Sequence, residues 1–241
     1  MKETSMQDRP LEELLAHAIE STQIIRHPKQ HLATFGITSI KYYLVTEAAY
    51  NSLNIGEKND DVVIREGMVR AEQPQVVTPQ YLLNHEGFGD YAGEYLRHLR
   101  SQGAGDTPGL LYAYKNEGMR TNIASGDVKQ VAYRLKGWLD REERGMEAVI
   151  QGIDELWDVS LMKFIYDLTS ASLRANLKEI HNQGLFDVER GIPRAARERI
   201  EELLTEARQG NVDPAAVHQE IERWGAFDEY QDKFLAIFKR K

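Results

Sequence analysis

The sequence predicts an α+β fold, with an antiparallel sheet of about four or five strands and flanking helices, followed by an all-helical, bundle-like C-terminal part. Segments rich in β-branched and aromatic residues occur only before Ser125, whereas amphipathic helical stripes continue to the C terminus. Eight of the eleven tyrosines precede Ser125, and all three tryptophans follow it. We therefore expect two parts, residues 1–125 and 126–241, that form either two domains or one continuous core.

The first elements of the chain are a helix and a strand. Leu11, Leu15 and Ala18 belong to an apolar stripe with helical spacing, which predicts a helix that starts after Pro10 and stops near Arg26, before the next proline. Residues 37–47 are rich in β-branched and aromatic side chains. Their alternation leaves both faces partly apolar, which is typical of a central strand.

Two hairpins are predicted in the rest of the first half. Residues 61–65 and 68–72 pair about Glu66-Gly67, and residues 110–115 and 119–124 pair about a turn ending at Gly118, since glycine adopts the positive φ of tight turns. Both turns contain the tripeptide Glu-Gly-Met. Between the hairpins, Pro79 starts a helix that ends at Gly87, and residues 88–99 form a second helical stripe.

The second half of the sequence predicts helices joined by short connections. Ser125 caps the first of them, residues 146–157 form the next stripe, and residues 159–182 are apolar nearly all round, which is typical of a helix buried by several neighbours. Pro193 and Asp213-Pro214 start two further helices. Because short connections favour antiparallel neighbours, we expect a bundle around the 159–182 helix.

Composition excludes several classes of protein. The chain has no cysteine, which excludes disulfides, thiolate metal sites, iron–sulfur clusters and a cysteine nucleophile. Its net charge is −8, divided equally between the two parts, so we expect no strong non-specific binding to nucleic acid. No apolar run approaches the roughly 18–20 residues of a membrane span. The polar start has no signal-peptide core, so we expect a cytoplasmic protein without membrane attachment.

One candidate ligand site emerges at the junction of the sheet and the helices in the first part. Tyrosine has an apolar body and a polar tip, and cations on neighbouring strands attract anionic or aromatic ligands. Two histidines in the loop after the first helix would close one side, although a metal site needs at least a third ligand, so no metal is predicted. The residues proposed for this site are Tyr43, Arg65, Arg70, Tyr112, Lys115, His27 and His31.

The sequence contains no nucleophile elbow, phosphate-binding loop or kinase pattern. The first hypothesis for function is therefore a non-enzymatic protein that binds another protein or assembles with itself. The aromatic segment 222–238 is a plausible docking element. The alternative is a small-molecule sensor or enzyme that uses the candidate site above, and the sequence identifies neither its reaction nor a cofactor.

Overall fold

The structure, a computed structural model, describes residues 10–53, 60–83, 98, 101 and 107–239. The chain divides into two compact units: unit 1 consists of Met1–Gln73 and Ala113–Asn176, and unit 2 of Pro74–Tyr112 and Leu177–Lys241. The predicted division after Ser125 therefore separates segments that the structure places in the same unit.

Helices and strands are mixed in the chain, and the helices are concentrated in its C-terminal half, as predicted. The elements up to the end of β6 are α1 (Leu11–Ser21), β1 (Gln23–Arg26), β2 (Thr38–Glu47), a 3₁₀ helix (Ala49–Leu53), β3 (Asp61–Ala71), β4 (Gln75–Val77), α2 (Pro79–Leu83), β5 (Gly109–Leu111) and β6 (Tyr114–Ser125). The later elements are α3 (Val128–Arg141), β7 (Glu147–Gly152), α4 (Trp157–Asn182), β8 (Val188–Glu189), β9 (Ile192–Pro193), α5 (Arg194–Gln209), α6 (Pro214–Arg223), α7 (Phe227–Leu235) and a 3₁₀ helix (Ala236–Phe238). No helix in the described ranges is long and apolar enough to cross a membrane.

The main sheet belongs to unit 1 and has five strands in the order β1-β7-β2-β3-β6. The pairs β1·β7, β2·β3 and β3·β6 are antiparallel, whereas β2·β7 is parallel. The sheet is thus mixed, and the expectation of an antiparallel sheet holds for three of its four pairings. A parallel neighbour needs a long crossover, and here the chain returns through β3, β6 and α3 before it enters β7.

The pairing register defines two faces of this sheet. On the face that we call the α3 face, Tyr43, Val45 and Val149 pack against apolar side chains of α3 such as Val131 and Leu139. The opposite face, the α4 face, carries Tyr42, Leu44 and Arg65, because cross-strand partners share a face. Trp157 at the start of α4 lies against Arg65, with 5.8 Å between the guanidinium carbon and the ring centroid.

Two predicted helical segments are strands. The first helix ends at Ser21, and Gln23–Arg26 forms β1. The segment expected to be helical from residue 146 contains β7, whose residues Ala148, Val149 and Ile150 are completely buried. Short apolar runs fit either conformation, and here strand pairing decides, since β7 pairs with β1 on one side and β2 on the other.

The predicted turn at Glu66-Gly67 is absent, because β3 is one continuous strand. Gly67 lies opposite Tyr42 of β2, whose ring covers it. A Cβ atom at residue 67 would lie 2.5 Å from the Tyr42 Cζ atom, far inside van der Waals contact. The glycine is therefore explained by the close approach of an aromatic ring rather than by a turn.

The turn predicted at Gly118 is also absent, because β6 is continuous from Tyr114 to Ser125. The register shifts there: Glu66 lies opposite Arg120 and Met68 opposite Glu117, so β6 contains one extra residue. This β-bulge coincides with Gly118, whose φ is +49°. The remainder of the predicted hairpin, Gly109–Leu111, is β5, which pairs with β4 in a separate two-stranded sheet.

Unit 2 contains the helices α5, α6 and α7. Ala196, Ile200, Leu203, Leu204 and Ala207 recur at helical spacing after Pro193, which predicts the inward face of α5, and all five are buried. Asp213 caps α6 by accepting a hydrogen bond from the Ala215 amide at 2.9 Å. The tight hairpin of β8 and β9 was not predicted. That the C-terminal helices form a bundle around the 159–182 helix stays a prediction, and the predicted helix over residues 88–99 lies outside the described residues, apart from residue 98.

Candidate functional site

The structure distributes the seven predicted ligand-binding residues over several places. Tyr43, Arg70 and Lys115 lie on the α3 face of the sheet, whereas Arg65 lies on the α4 face. His27 and His31 are exposed in the loop after β1, and the half-buried Tyr112 belongs to unit 2. No single sheet face therefore holds the predicted set. Among the described residues, no three His, Asp or Glu side chains are grouped as metal ligands.

Tyr43 is part of the core beneath α3. Its hydroxyl donates a hydrogen bond to Glu147 Oε2 at 3.0 Å, and its ring meets Trp138 edge to face with 6.4 Å between centroids. The Lys41 ammonium lies 4.6 Å from the ring centroid. Burial raises the pKa of Tyr43, so the phenol is neutral at physiological pH. Its contacts support packing of α3 on the sheet and leave it 3% exposed.

Arg65 forms a buried polar cluster on the α4 face. It donates to Asp154 Oδ1 at 2.5 Å and to Thr46 Oγ1 at 3.2 Å, and the second carboxylate oxygen of Asp154 accepts from the Ala49 amide at 3.1 Å. Burial would raise the pKa of Asp154, but hydrogen bonds from Arg65, Thr46 and Ala49 outweigh it and hold the pKa below its ordinary value. The cluster ties the segment that precedes α4 to β2 and β3.

Arg70 and Lys115 are direct cross-strand neighbours of β3 and β6. Each cation has a carboxylate partner two residues further along the chain. Arg70 lies 3.3 Å from Glu72, and Lys115 lies 3.4 Å from Glu117. Two adjacent cations could still contact an anion, and ligand binding at these residues stays a prediction.

The structure shows a groove that the sequence analysis did not identify. It has a volume of about 840 Å³ and lies between α3 and the α3 face of β3 and β6. We call it the Trp138 groove, and its lining residues are Ile64, Ala124, Gln130, Val131, Tyr133, Arg134, Leu135, Gly137, Trp138 and Arg141.

The position of α3 explains this groove. The helix lies mainly over β7, β2 and β1, and the groove opens between its flank and Ile64 of β3 and Ala124 of β6. Val131, Leu135 and Leu139 point towards the sheet. Arg134, Trp138 and Arg141 follow at spacings of four and three residues, which places them on the flank of the helix that borders the groove.

The charge in the groove is positive. Arg134 and Arg141 are exposed, and neither has a carboxylate partner among the described residues. On the opposite flank of the same helix, Lys136 is paired with Asp140 at 2.8 Å. The groove therefore presents one guanidinium group on each side of the Trp138 indole, which is 39% exposed. Its lining as described contains no carboxylate, imidazole or amine, and its polar side chains are guanidinium, amide, indole and phenol groups.

A second concavity, in unit 2, has a volume of about 450 Å³ and is lined by Arg197, Glu198, Glu201, Glu229, Tyr230 and Lys233. Its charges neutralise one another, since Arg197 pairs with Glu229 and Lys233 pairs with Glu201. The Arg197 guanidinium lowers the pKa of Glu229. These ion pairs join α5 to α7 and leave little net charge for a ligand.

In the sequence, Trp138 continues the apolar stripe of Val131, Leu135 and Leu139, which predicts a buried indole, whereas the structure leaves it 39% exposed. The signal that could identify the groove is the pattern Arg134, Trp138, Arg141, an aromatic residue between two arginines on one helix flank. Comparison with protein-family models, with curated proteins and with solved structures found no match to this chain.

Proposed function

We propose that the protein is a non-enzymatic binding module that takes an acidic, extended segment of a partner protein into the Trp138 groove. One observation carries this proposal: the half-exposed Trp138 stands between Arg134 and Arg141, which have no carboxylate partner in the part of the chain that the structure describes, and the net charge of the chain is −8. A local positive groove attracts and selects an occupant of opposite charge.

The residue types in the groove are those that dominate protein–protein binding. Tryptophan, tyrosine and arginine are enriched at interface positions that cost most when truncated, and the groove contains Trp138, Tyr133, Arg134 and Arg141. Guanidinium groups bind carboxylates through two parallel hydrogen bonds, which gives geometric selectivity as well as affinity. Ile64, Ala124 and Leu135 supply an apolar floor for a side chain between the two acidic groups.

The spacing on α3 predicts the spacing in the partner. Arg134 and Arg141 are seven residues apart, which corresponds to about 10.5 Å along a helix with a rise of about 1.5 Å per residue. A peptide in the extended polyproline II conformation rises about 3.1 Å per residue and returns to the same side every three residues, so carboxylates three residues apart match the two arginines. A large apolar residue between them would lie against Trp138. The expected pattern is therefore Glu-Phe-Xaa-Glu and its close variants.

Peptide binding tests this proposal. Fluorescein-labelled peptides with the fixed pattern Glu-Phe-Xaa-Glu are titrated with the full chain, and fluorescence anisotropy is measured at low and at physiological salt. Peptides with Lys in place of Glu, or Ala in place of Phe, serve as matched probes. We expect the acidic aromatic peptides to bind most tightly and to weaken with salt, because ionic attraction is screened.

Variants locate the binding surface. Arg134→Glu and Arg141→Glu should each weaken binding about tenfold or more, since a hydrogen bond to a charged group contributes roughly 1.5–3 kcal/mol. Arg174→Glu is the control, because Arg174 is an exposed arginine of α4 that also lacks a described carboxylate partner. Equal affinity for acidic and basic peptides, or unchanged binding by both groove variants, would overturn the proposal.

A further inference from the structure

The β6 edge of the main sheet has no partner strand among the described residues. β6 is the last strand in the order β1-β7-β2-β3-β6, and on its inner side it pairs with β3. In the described part of the chain, no strand pairs with its outer side. Its length of 12 residues is large for an edge strand, and a row of unpaired amides and carbonyls is a template for another strand.

Large apolar side chains are exposed on β6 and on α4. Ile123, on the α4 face of β6, is 63% exposed, and Met162 and Tyr166 of α4 are 61% and 71% exposed. Thr169 of α4 contacts the Tyr114 hydroxyl at the other end of β6, and Trp157 lies against Arg65, whose cross-strand partner is Thr121. Exposed apolar patches mark interaction surfaces, and Ile123 supplies an exposed apolar side chain at the edge itself.

The sequence of β6 is complementary to itself in one antiparallel register. If Glu117 lies opposite Arg120 of a second copy, the twofold symmetry repeats this ion pair, and Lys115 lies opposite Asn122. In the same register Tyr114 lies opposite Ile123. The pairing to β3 shows that the members of each of these pairs share a face: Glu117, Arg120, Lys115 and Asn122 lie on the α3 face, and Tyr114 and Ile123 on the α4 face. A shift of this register by one residue would place each of these residues opposite a side chain on the other face of the sheet.

We propose that β6 is the interface for a second copy of this chain, which adds its own β6 antiparallel to the outer edge with Glu117 opposite the partner's Arg120. The two sheets become one continuous sheet, and the exposed Ile123 side chains of both copies lie on the same face of it. An isologous interface of this kind closes at the dimer. Charges and bulges normally protect edge strands from pairing. Here the opposite charges meet across the twofold axis, so the same residues select one register and exclude others. This surface differs from the Trp138 groove, and the proposal is independent of the peptide-binding function.

Charge exchange tests the register directly. The mass of the full chain in solution is measured by sedimentation velocity from micromolar to submillimolar concentration, without any added ligand. We expect a dimer for the natural sequence. Glu117→Arg places two arginines opposite each other and Arg120→Glu two glutamates, so each single variant should be monomeric. An equimolar mixture of the two variants restores opposite charges in both pairs and should recover the dimer.

Further variants separate the interface from a general effect on folding. Ile123→Lys should also give a monomer, whereas Leu11→Lys, at a residue of α1 that is 68% exposed, should leave the dimer intact. Circular dichroism of each variant confirms the fold. A natural chain that stays monomeric over the whole concentration range would overturn the proposal. A dimer that persists in both single charge variants would overturn the register and with it the assignment to β6.

Discussion

At the scale of single residues, neither of the two Glu-Gly-Met tripeptides forms the turn that the sequence predicts. They lie on neighbouring strands, with Met68 opposite Glu117 and Glu66 opposite Arg120, on either side of the bulge in β6. Gly67 makes room for the Tyr42 ring, whose hydroxyl donates to Asn116 Oδ1 at 3.0 Å. Gly118 provides the positive φ of the bulge. The two glycines therefore serve different purposes.

Gly67→Ala should destabilise the protein by about 2 kcal/mol, because the added methyl group overlaps the buried Tyr42 ring, which has no open space to enter. Urea unfolding monitored by circular dichroism measures this change. Gly109→Ala is the control, since nothing lies within 4 Å of a Cβ atom at that residue. In a double-mutant cycle, Tyr42→Leu should recover part of the loss caused by Gly67→Ala. Additive effects of the two substitutions would contradict this explanation.

The ion pair of Arg65 and Asp154 makes a second residue-scale prediction. Asp154→Asn leaves the half-buried guanidinium without its counter-charge and should cost about 3 kcal/mol at neutral pH. The folded-state pKa of Asp154 lies below the ordinary value of 3.8. Its contribution to stability is thus complete above the unfolded-state pKa and is lost as the pH falls through the lower folded-state pKa.

Urea unfolding of the natural chain and of Asp154→Asn at a series of pH values between neutral and about 3 measures this dependence. The difference between the two proteins should be largest at neutral pH and should shrink at the acidic end. Asp167→Asn removes a surface ion pair to Lys163 within α4 and should cost less than about 1 kcal/mol at every pH. A constant difference for Asp154→Asn across the series would show that the ionised carboxylate is not the cause.

At the scale of elements, α3 is the helix that positions the candidate site, and it is anchored at both ends. Asp127, rather than Ser125, caps its N-terminus by accepting a hydrogen bond from the Gln130 amide at 3.0 Å. At the other end, Asp140 accepts from the buried Arg26 at 2.8 Å and from Lys136 at 2.8 Å. These two partners lower the pKa of Asp140 to about 2, so it stays ionised. The anchors hold the flank that carries Trp138 beside the open strands.

Asp127→Ala should lower the stability of the protein by about 1 kcal/mol, since the amide of Gln130 loses its acceptor and the first turn of α3 frays. Ser125→Ala is the matched control, because Ser125 is the last residue of β6 and caps nothing in the structure's described part. Thermal unfolding of the two variants distinguishes them. An equal loss of stability in the two variants would contradict the assignment of the capping role to Asp127.

At the scale of the whole molecule, unit 1 is assembled from segments that are far apart in the chain. β7 lies between β1 and β2 and contributes three completely buried residues, although β2 and β7 are separated by about a hundred residues of sequence. The order of strands in the sheet is thus not their order in the chain. Unit 1 combines two separate chain segments, Met1–Gln73 and Ala113–Asn176.

A fragment of residues 1–125 should therefore not fold by itself. It lacks β7 and α3, so β1 and β2 have no partner between them and one face of the sheet is uncovered. We expect weak secondary structure and no cooperative thermal transition by circular dichroism. A longer fragment of residues 1–182, which keeps all of α3, β7 and α4, should retain a cooperative transition. A folded 1–125 fragment would instead support an independent domain that ends at Ser125.

The candidate site shows how far sequence analysis reaches for function. Residue types that suit ligand binding were recognised on the strands, but their grouping was not, because side chains of neighbouring strands share a face only in one register. Arg65 illustrates this: it lies opposite Leu44, and so on the other face from Tyr43. The pattern Arg134, Trp138, Arg141 marks the helix flank of the Trp138 groove, but its sheet side, with Ile64 and Ala124, depends on how α3 packs on strands distant in the chain.

By itself, the sequence determined the elements whose signals are local. The helix of Asp213-Pro214 and the buried stripe of α5 follow from capping chemistry and from a 3.6-residue period, and β2 follows from its β-branched and aromatic composition. Only the tertiary structure decided that β1 and β7 are strands, that β3 and β6 are continuous, and that β2 and β7 are parallel. Short apolar segments have no strong preference of their own, and their conformation is set by hydrogen bonds and packing with strands distant in the chain.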